Sequence, residues 1–338
     1  MSTSLTPREN ILRVYNCEMP EWVPVAEKSL AVSMPTCTGN WSRPRLEAGQ
    51  IFYDPFKTPH IAGPDLRVAV LPIPGEPHVP DITQWRKYLE MPFPDPNAFD
   101  WSVDEENAKS FDRENKAVSV AVGGTGAGSP YNAMVKFLGH EGASIAMLTE
   151  PEAWHELINL LTDWEVAVIK RAIEVYKPDI ICTSDDLGAA HGPFMSPETY
   201  RELIKPYQKR IVQAIVDGGC IAELHCCGKA DLFVDDWYEI GIRSWNPAQV
   251  FNDLEAVKAK YGRKFVIDGG YDSQGRINRP GATEEEVRTA VRAMIDRLAP
   301  GGGFIFNTSG MALVHELGQE HYGWIIDEAD TYSKTFYK

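Results

Sequence analysis

The 338-residue chain lacks several features that would place it in a familiar class. It has no run of about 18 apolar residues, which excludes an ordinary membrane-spanning helix. The formal charge of −15 also argues against an anionic membrane surface as a partner. Its first residues, MSTSLTPRENILRVYN, contain no signal-peptide core, so we expect a cytoplasmic protein. Basic residues are few: Lys plus Arg is 33 against 48 for Asp plus Glu, a formal charge of −15. Because nucleic-acid binding depends on a basic face, we expect no nucleic-acid partner.

Cysteines and nucleotide-binding motifs are also scarce. The six cysteines cannot be a disulfide framework for a chain of this length, which agrees with a reducing cytoplasm. No GxGxxG motif follows a first strand, which argues against a dinucleotide-binding sheet. The Gly-rich segment 123–129 lacks the P-loop lysine, so we interpret it as a backbone turn that lines a pocket.

The chain divides into two parts of different composition. Residues 1–150 are rich in Pro, Gly and aromatic residues, and the proline-rich stretch 34–96 predicts loops and short edge strands. From residue 151 helical stretches alternate regularly with short apolar strands, which predicts βα units and a parallel sheet. We therefore expect one domain over residues 1–338, with 1–115 as an N-terminal elaboration and lid and 116–338 as regular βα units.

Eight segments are candidate strands of that sheet: WVPVAE, RVAVLPI, AVSVAVGG, DIICTS, CIAELH, IRSWNP, KFVIDGG and GGFIFNT. Eight parallel strands close a barrel, so the expected fold class is α/β, a single (β/α)8 TIM barrel. A doubly wound open sheet is the alternative. The aromatic residues of the N-terminal segment could cover the barrel mouth or form core beneath long loops, and both interpretations stay open for Trp41, Phe52, Tyr53, Phe56 and Trp85.

Polar residues stand at the carboxyl ends of the last five predicted strands, directly after the apolar residues of each strand. In a barrel these residues converge on the C-terminal face, where active sites are built, and helix capping alone does not explain five consecutive sets. Adjacent aspartates in an extended strand point to opposite sides, so we expect one of Asp185 and Asp186 in the site. The predicted catalytic residues are Asp186, Asp185, Asp268 and Glu223. The predicted substrate-binding residues are Asn246, Gln249, Tyr271 and Asn307.

The segment HCCG carries the most specific chemistry. Residues i and i+2 of a strand point to the same side, so His225 and Cys227 can share one ion while Cys226 faces away. Imidazole nitrogen and thiolate are ligands that Zn²⁺ prefers. A third ligand must come from another strand, and a buried structural pair is the alternative interpretation.

Several segments together resemble the uroporphyrinogen decarboxylase superfamily. They are VPDITQWRKYLEMP, GTGAGSPYNAMVKFLGHEG, SDDLGAAHGPFMSPETYRELIKPYQKRI, ELHCCGK, WNPAQ, IDGGYDSQG and LAPGGGFIF. The resemblance covers nearly the whole chain and implies a single (β/α)8 barrel. True decarboxylases of this superfamily carry an RQAGR-like motif near the N-terminus that grips propionates. Here the region reads NCEMPEWVPVAEKSLAV, so the resemblance favours the other branch, the corrinoid-dependent methyltransferases.

In that branch an HxCGK-like motif binds zinc, which His225 and Cys227 match. The third ligand is usually a cysteine after the last strand, where this chain has Ser309, a poorer zinc ligand. Glu223, Asp268 or another strand-end carboxylate could take its place. A harder site of this kind favours an oxygen substrate over a thiol.

The resemblance implies methyl transfer between a small methyl donor, favoured here as a methyl ether such as a methoxylated aromatic, and a corrinoid. No DxHxxG cobalamin motif is present, so the corrinoid is expected on a partner protein. A metal or a carboxylic acid would activate the leaving oxygen. Two alternatives remain: a decarboxylase acting on uroporphyrinogen or a smaller acid, and a non-catalytic corrinoid-binding or metal-binding barrel.

Overall fold

The structure is a computed structural model that describes residues 5–38, 49–61, 71–73, 75–123, 129–273, 275–308 and 318–337. Its strands are β1 Leu30–Ser33, β2 Ile51–Tyr53, β3 Pro59–Ile61, β4 Leu71–Pro72, β5 Ala117–Gly123, β6 Ile180–Ser184, β7 Gly188–Ala189, β8 Gly192–Pro193, β9 Ile221–His225, β10 Ser244–Ala248, β11 Val266–Gly270 and β12 Phe304–Asn307. Its α-helices are α1 Pro7–Tyr15, α2 Ala26–Ser29, α3 Ser102–Lys109, α4 Pro130–Thr149, α5 Pro151–Tyr176, α6 Pro197–Leu203, α7 Lys205–Asp217, α8 Val234–Ile240, α9 Leu254–Tyr261, α10 Glu284–Leu298 and α11 Gly318–Phe336. Short 3₁₀ helices lie at Thr36–Thr38, Ile82–Lys87, Pro96–Ala98, Asp231–Phe233, Gly262–Lys264 and Arg276–Asn278.

Seven strands form one parallel sheet in the order β1-β5-β6-β9-β10-β11-β12. The sheet curls, and a parallel bridge joins Val25 to Phe306 at its far edge, where the Phe306 N–H donates to the Pro24 carbonyl at 2.9 Å. Helices surround this sheet, so the fold is of the expected TIM-barrel-like α/β class, with seven paired strands in the described residues where the sequence predicts eight. Among the described residues, none of the helices combines the length and apolar character needed to span a bilayer.

Local sequence signals account for the helix boundaries. Thr283 caps α10 and forms a capping box with Glu286. Pro206 separates two helices, because α6 ends at Leu203 and α7 begins at Lys205 with that proline in its first turn. These boundaries place the carboxyl ends of the strands at one edge of the sheet.

The two faces of the sheet meet different surroundings. The outward residues of β5, Val118, Val120 and Val122, pack in the main apolar core. On the inner face a second apolar cluster includes Tyr15 of α1 together with Ile180 and Val266. Helix α1 therefore packs against the amino-terminal end of the barrel interior and leaves the carboxyl end for chemistry.

The strand assignment from sequence was wrong for two segments. WVPVAE contributes one isolated bridge, from Val25 to Phe306, and helix α2 begins at Ala26 within it. The described end of RVAVLPI, β4, pairs antiparallel with β3 in a separate three-stranded sheet, so it is no part of the barrel. Strand β1, Leu30–Ser33, takes the place beside β5 instead. This segment has only four residues, lies next to a one-turn helix and shows no clear alternation, so its pattern did not identify it.

The aromatic residues of the N-terminal segment are largely core. Phe56 is 3% exposed and contacts Phe93 with ring centroids 4.7 Å apart, and Trp85 is 1% exposed. Tyr53 is exposed. The predicted aromatic lid is therefore not open to a ligand at Phe56 or Trp85, while Trp41 and the Phe52 side chain lie outside the described residues.

Candidate active site

Three potential metal ligands meet where β6 and β9 end. One ligand atom from each of Asp186, His225 and Cys227 lies within 4.8 Å of the others. The His225 Nε2 atom is 3.5 Å from the Cys227 Sγ atom, and the Cys227 N–H donates to Asp186 Oδ1 at 2.7 Å. The predicted His225–Cys227 pair therefore gains a carboxylate from the neighbouring strand, since β6 and β9 pair in register with Ser184 opposite His225.

The loop that presents Cys227 has a backbone shape that only glycine adopts easily. Gly228 has φ +88°, and a Cβ atom there would lie 2.0 Å from the carbonyl oxygen of Gly188 in the β7–β8 hairpin. The Gly228 N–H donates to Gln249 Oε1 at 2.7 Å, and Asn252 Nδ2 donates to the Gly228 carbonyl at 3.1 Å. The HCCG loop is therefore fixed between this hairpin and the end of β10.

Two asparagines orient the three potential metal ligands. His225 Nδ1 lies 3.2 Å from Asn246 Oδ1, which can accept from an Nδ1–H and so leave Nε2 free for a metal. Asn132, in the first turn of α4, accepts from the Asp186 N–H through Oδ1 at 3.2 Å. The imidazole and the Asp186 backbone are therefore both held before any metal binds.

The donor set fits zinc. Imidazole nitrogen, thiolate and one carboxylate oxygen are all common zinc ligands, and three protein ligands leave a position open for a substrate. Burial, and then the charge of Asp186, raise the pKa of the Cys227 thiol to about 12. A free thiol here stays protonated at neutral pH, so binding through sulfur requires a cation that displaces the proton.

A second group of ionisable residues lies deeper in the barrel. Glu223 is 3% exposed and accepts from Tyr15 Oη at 2.9 Å and from Ser244 Oγ at 2.6 Å. Asp268 is fully buried, and within the described residues neither of its carboxylate oxygens has a hydrogen bond of normal geometry. Burial, and then the charge of Glu223, raise the pKa of Asp268 well above its usual range, although nearby Asn307 and Asn246 favour the ionised form.

The raised pKa of Asp268 favours its protonated form, the form that can donate a proton. Burial also raises the pKa of Glu223, although its two hydroxyl donors favour the carboxylate. The difference in surroundings indicates that the ionised form belongs to Glu223 and the proton to Asp268. Asn246 is close to both His225 and Asp268, so the acid and the metal-binding residues share one wall.

Asp185 lies on the other side of the sheet from Asp186. It is 1% exposed, accepts from Gln208 Nε2 at 2.8 Å and from the Asn132 N–H at 3.0 Å, and faces helices rather than the barrel interior. Burial raises its pKa to about 7. Of the two adjacent aspartates, only Asp186 lies with His225 and Cys227 as a potential metal ligand.

The predicted substrate-binding residues fall into two groups. Asn246 and Asn307 stand beside Asp268 inside the barrel. Gln249 instead supports Gly228, and the buried Tyr271 donates through its hydroxyl to Asn278 Oδ1 at 3.0 Å. Ser309, the position of the usual third zinc ligand, lies outside the described residues.

Sequence reasoning missed three residues of this region. Tyr15 reaches Glu223 from a helix far away in sequence, and no local pattern marks it. Glu27 accepts from the Thr308 N–H at 3.0 Å and its charge reaches Asp268. Asn132 lies in a segment that contributes to the family resemblance, SPYNAMVKF, and that was the available signal.

Comparison with known proteins identifies the family. The uroporphyrinogen decarboxylase (URO-D) family model matches residues 94–332, which is well over half of the chain. The chain therefore belongs to the uroporphyrinogen decarboxylase family, as the resemblance of its motifs indicated.

Two curated relatives carry the name uroporphyrinogen decarboxylase. The protein from Nocardia farcinica is 30% identical over 199 residues, covering 53% of this chain and 52% of the relative. The protein from Xanthomonas axonopodis pv. citri is 26% identical over 194 residues, covering 54% and 51% respectively. The chain thus matches about half the length of these relatives.

Among solved structures, a methyltransferase from Methanosarcina mazei superposes with a TM-score of 0.64 at 12% identity. The superposition covers 97% of this chain and 99% of that one. At this identity the likeness establishes the shared fold.

Proposed function

We propose that this protein is a methyltransferase that moves a methyl group from a small methyl ether, such as a methoxylated aromatic, to the cobalt of a partner corrinoid protein. The observation that carries the proposal is the convergence of Asp186, His225 and Cys227 at the carboxyl ends of two barrel strands, above the buried acid Asp268. The superposition with a protein described as a methyltransferase supports the same class.

The reaction demands activation of the leaving oxygen, because an alkoxide or phenoxide leaves poorly. Zinc held by Asp186, His225 and Cys227 would supply a Lewis acid for that oxygen. Asp268 holds a proton at its buried carboxyl group and gives it to the oxygen as the carbon–oxygen bond breaks. The electron pair of that bond stays with oxygen, and the methyl carbon forms its new bond with the two electrons of reduced cobalt.

The ligand set also favours one kind of leaving atom in the methyl donor, oxygen rather than sulfur. A carboxylate in the third position is harder than a thiolate, and harder sites favour oxygen ligands. Asn246 and Asn307 add amide groups beside Asp268, suited to hydrogen bonds with an oxygen-bearing substrate. Together these residues favour an ether over a thioether as methyl donor.

The test is direct observation of cobalt. The purified protein is mixed with a reduced corrinoid protein and a panel of methoxylated aromatics, and the cobalt absorption is followed. We expect methylcobalt to form with at least one donor and the corresponding demethylated product to appear in equal amount. Failure of every donor to give methylcobalt would refute the proposal.

A second candidate, decarboxylation, is favoured by the name that both curated relatives carry. A porphyrinogen with several carboxylates needs several cationic partners. The side chains that converge here, Asp186, Asp268, Asn246, Asn307 and Glu223, supply none. Release of CO₂ from uroporphyrinogen or a smaller acid, without methyl transfer, would favour this alternative.

A further inference from the structure

A small cavity lies behind the candidate active site, on the outer face of the sheet. It is lined on one side by strand residues that include Thr183 and Leu224, and on the other by Glu165 of α5 and Gln208 of α7. It has room for about one water-sized species. Asp185 forms part of its wall, so the cavity is separated from the metal-binding residues by the peptide that joins Asp185 to Asp186.

Two polar atoms in this cavity wall have no hydrogen-bond partner among the described residues. Glu165 is fully buried, and its Oε2 accepts from the Ser129 N–H at 2.7 Å while its Oε1 accepts nothing. Ser129 is 1% exposed, and its Oγ is likewise unpaired. A buried carboxylate oxygen and a buried hydroxyl left unpaired beside an empty volume are costly, which points to a small polar species that contacts both.

The surroundings of the cavity are acidic, which favours a cation over a neutral species. The buried ammonium of Lys136 senses four carboxylates, those of Asp54, Asp186, Asp185 and Glu165 in decreasing order of effect. Two of the four, Asp185 and Glu165, line the cavity. Because one ammonium faces several acidic groups, a monovalent cation at the unpaired oxygen atoms can take the place of a proton and balance the charge of an ionised Glu165.

We propose that this cavity binds an alkali cation, Na⁺ or K⁺, through Glu165, Ser129 and Asp185. All the donors are hard oxygens, the kind such ions prefer. Mg²⁺ fits less well, because it loses its waters reluctantly and this volume has no room for several of them. Burial also raises the pKa of Glu165 to about 8, a cost that a bound cation relieves.

The location gives the cation a structural effect on the active site. Ser129 immediately precedes α4, whose first turn carries Asn132, and Asn132 contacts the backbone of both Asp185 and Asp186. A cation that joins Ser129 to Glu165 and Asp185 fixes the start of α4 against the end of β6. Its occupancy therefore stabilises the fold and holds Asp186 in place for the metal.

The test measures thermal unfolding of the full chain in KCl, NaCl and choline chloride at equal ionic strength. We expect at least one alkali chloride to raise the Tm in a saturable way by about 3 °C over choline chloride. Glu165→Gln should fold, because an amide removes the buried charge, and should lose the response. Ser129→Ala should raise the half-saturating salt concentration about tenfold.

The matched control is Glu174→Gln, on the same helix but with an exposed side chain, and it should keep the full response. Crystals grown with Rb⁺ or Tl⁺ should show anomalous density between Glu165, Ser129 and Asp185. Equal Tm values in all three salts would overturn the proposal and indicate a buried water or proton. A response that persists in Glu165→Gln, or density elsewhere, would also overturn it.

Discussion

Asp185 and Asp186 are adjacent in sequence, yet they serve opposite faces of the sheet. Asp186 lies with His225 and Cys227 at the mouth of the barrel, where a metal and a substrate can reach it. Asp185 is held by Gln208 and by the backbone of α4 between the sheet and its helices. Because side chains alternate along a strand, the end of β6 places Asp186 among the potential metal ligands and Asp185 in the packing behind the sheet.

The same alternation operates in β9 and its extension. Glu223 and His225 face inward, whereas Leu224 and Cys226 pack in the outer core. Cys226 accepts from the Leu187 N–H at 3.4 Å and is fully buried. The inner face therefore carries the groups whose removal should abolish chemistry, and the outer face carries groups whose removal should affect stability.

The largest effect is expected from the metal-binding residues. His225→Ala and Cys227→Ala should each lose bound zinc and with it methyl transfer, because the remaining donors are too few for tight binding. The measurement is zinc content of the purified protein together with cobalt methylation. Cys226→Ala is the matched control on the outer face and should keep its zinc. Full activity in metal-free wild type would show that zinc has no role.

A smaller loss of rate is expected at the buried acid. Asp268→Asn removes the proton donor and should lower kcat by about 10²–10⁴-fold while zinc stays bound. The loss should shrink for ethers whose leaving phenol is more acidic, since such a group needs less protonation. Asp217→Asn, at an exposed position near the end of α7, serves as the control. An unchanged kcat with the least acidic leaving group would exclude Asp268 as the acid.

The packing of the HCCG loop against the β7–β8 hairpin can be tested with a glycine substitution. Gly228→Ala places a Cβ atom against the Gly188 carbonyl, so we expect at least about 2 kcal/mol of destabilisation and weaker zinc binding. Gly219→Ala has a similar φ, +78°, but open space around it, and should cost about 1 kcal/mol from backbone strain alone. Equal losses in urea unfolding would mean that the HCCG loop and the hairpin do not constrain each other.

The sequence predicts the C-terminal half of this fold well, because each βα unit shows an apolar run for the strand and amphipathic spacing for the helix. It also predicts that His225 and Cys227 share a side and that Asp185 and Asp186 do not. The N-terminal half is different. Strand β1 is short and its partner β5 is more than 80 residues away, so only tertiary pairing defines it.

The remaining site residues could not be predicted from the sequence for the same reason. Tyr15 meets Glu223 across 208 positions of sequence, and Glu27 meets Thr308 across 281. Neither residue has a local pattern that distinguishes it from a residue on a helix surface. Local periodicity thus predicts which side of a strand a residue occupies, but not which distant side chain it meets there.

The smallest expected effect is the pH dependence of the free energy of unfolding, which comes from the carboxyl groups on the outer face of the sheet. Burial raises the pKa of Glu165 from 4.5 to about 8 in the folded state, so the folded chain retains a proton that the unfolded chain releases. The free energy of unfolding should therefore fall as pH rises from about 5 to 8, by at most about 1.4 kcal/mol per pH unit from this group. Asp185 adds a slope of the same sign up to about pH 7, its folded-state pKa.

Glu165→Gln removes one of these two contributions, so urea unfolding in choline chloride should show a flatter pH dependence than wild type between pH 5 and 8. Glu174→Gln, which removes an exposed carboxyl group from the same helix, is the matched control and should match wild type. Saturating alkali cation should flatten the wild-type profile too, since a cation beside Glu165 favours the ionised form in the folded chain. If the wild-type and Glu165→Gln profiles coincide in choline chloride, Glu165 is already ionised beside Lys136 and carries no excess proton in the folded chain.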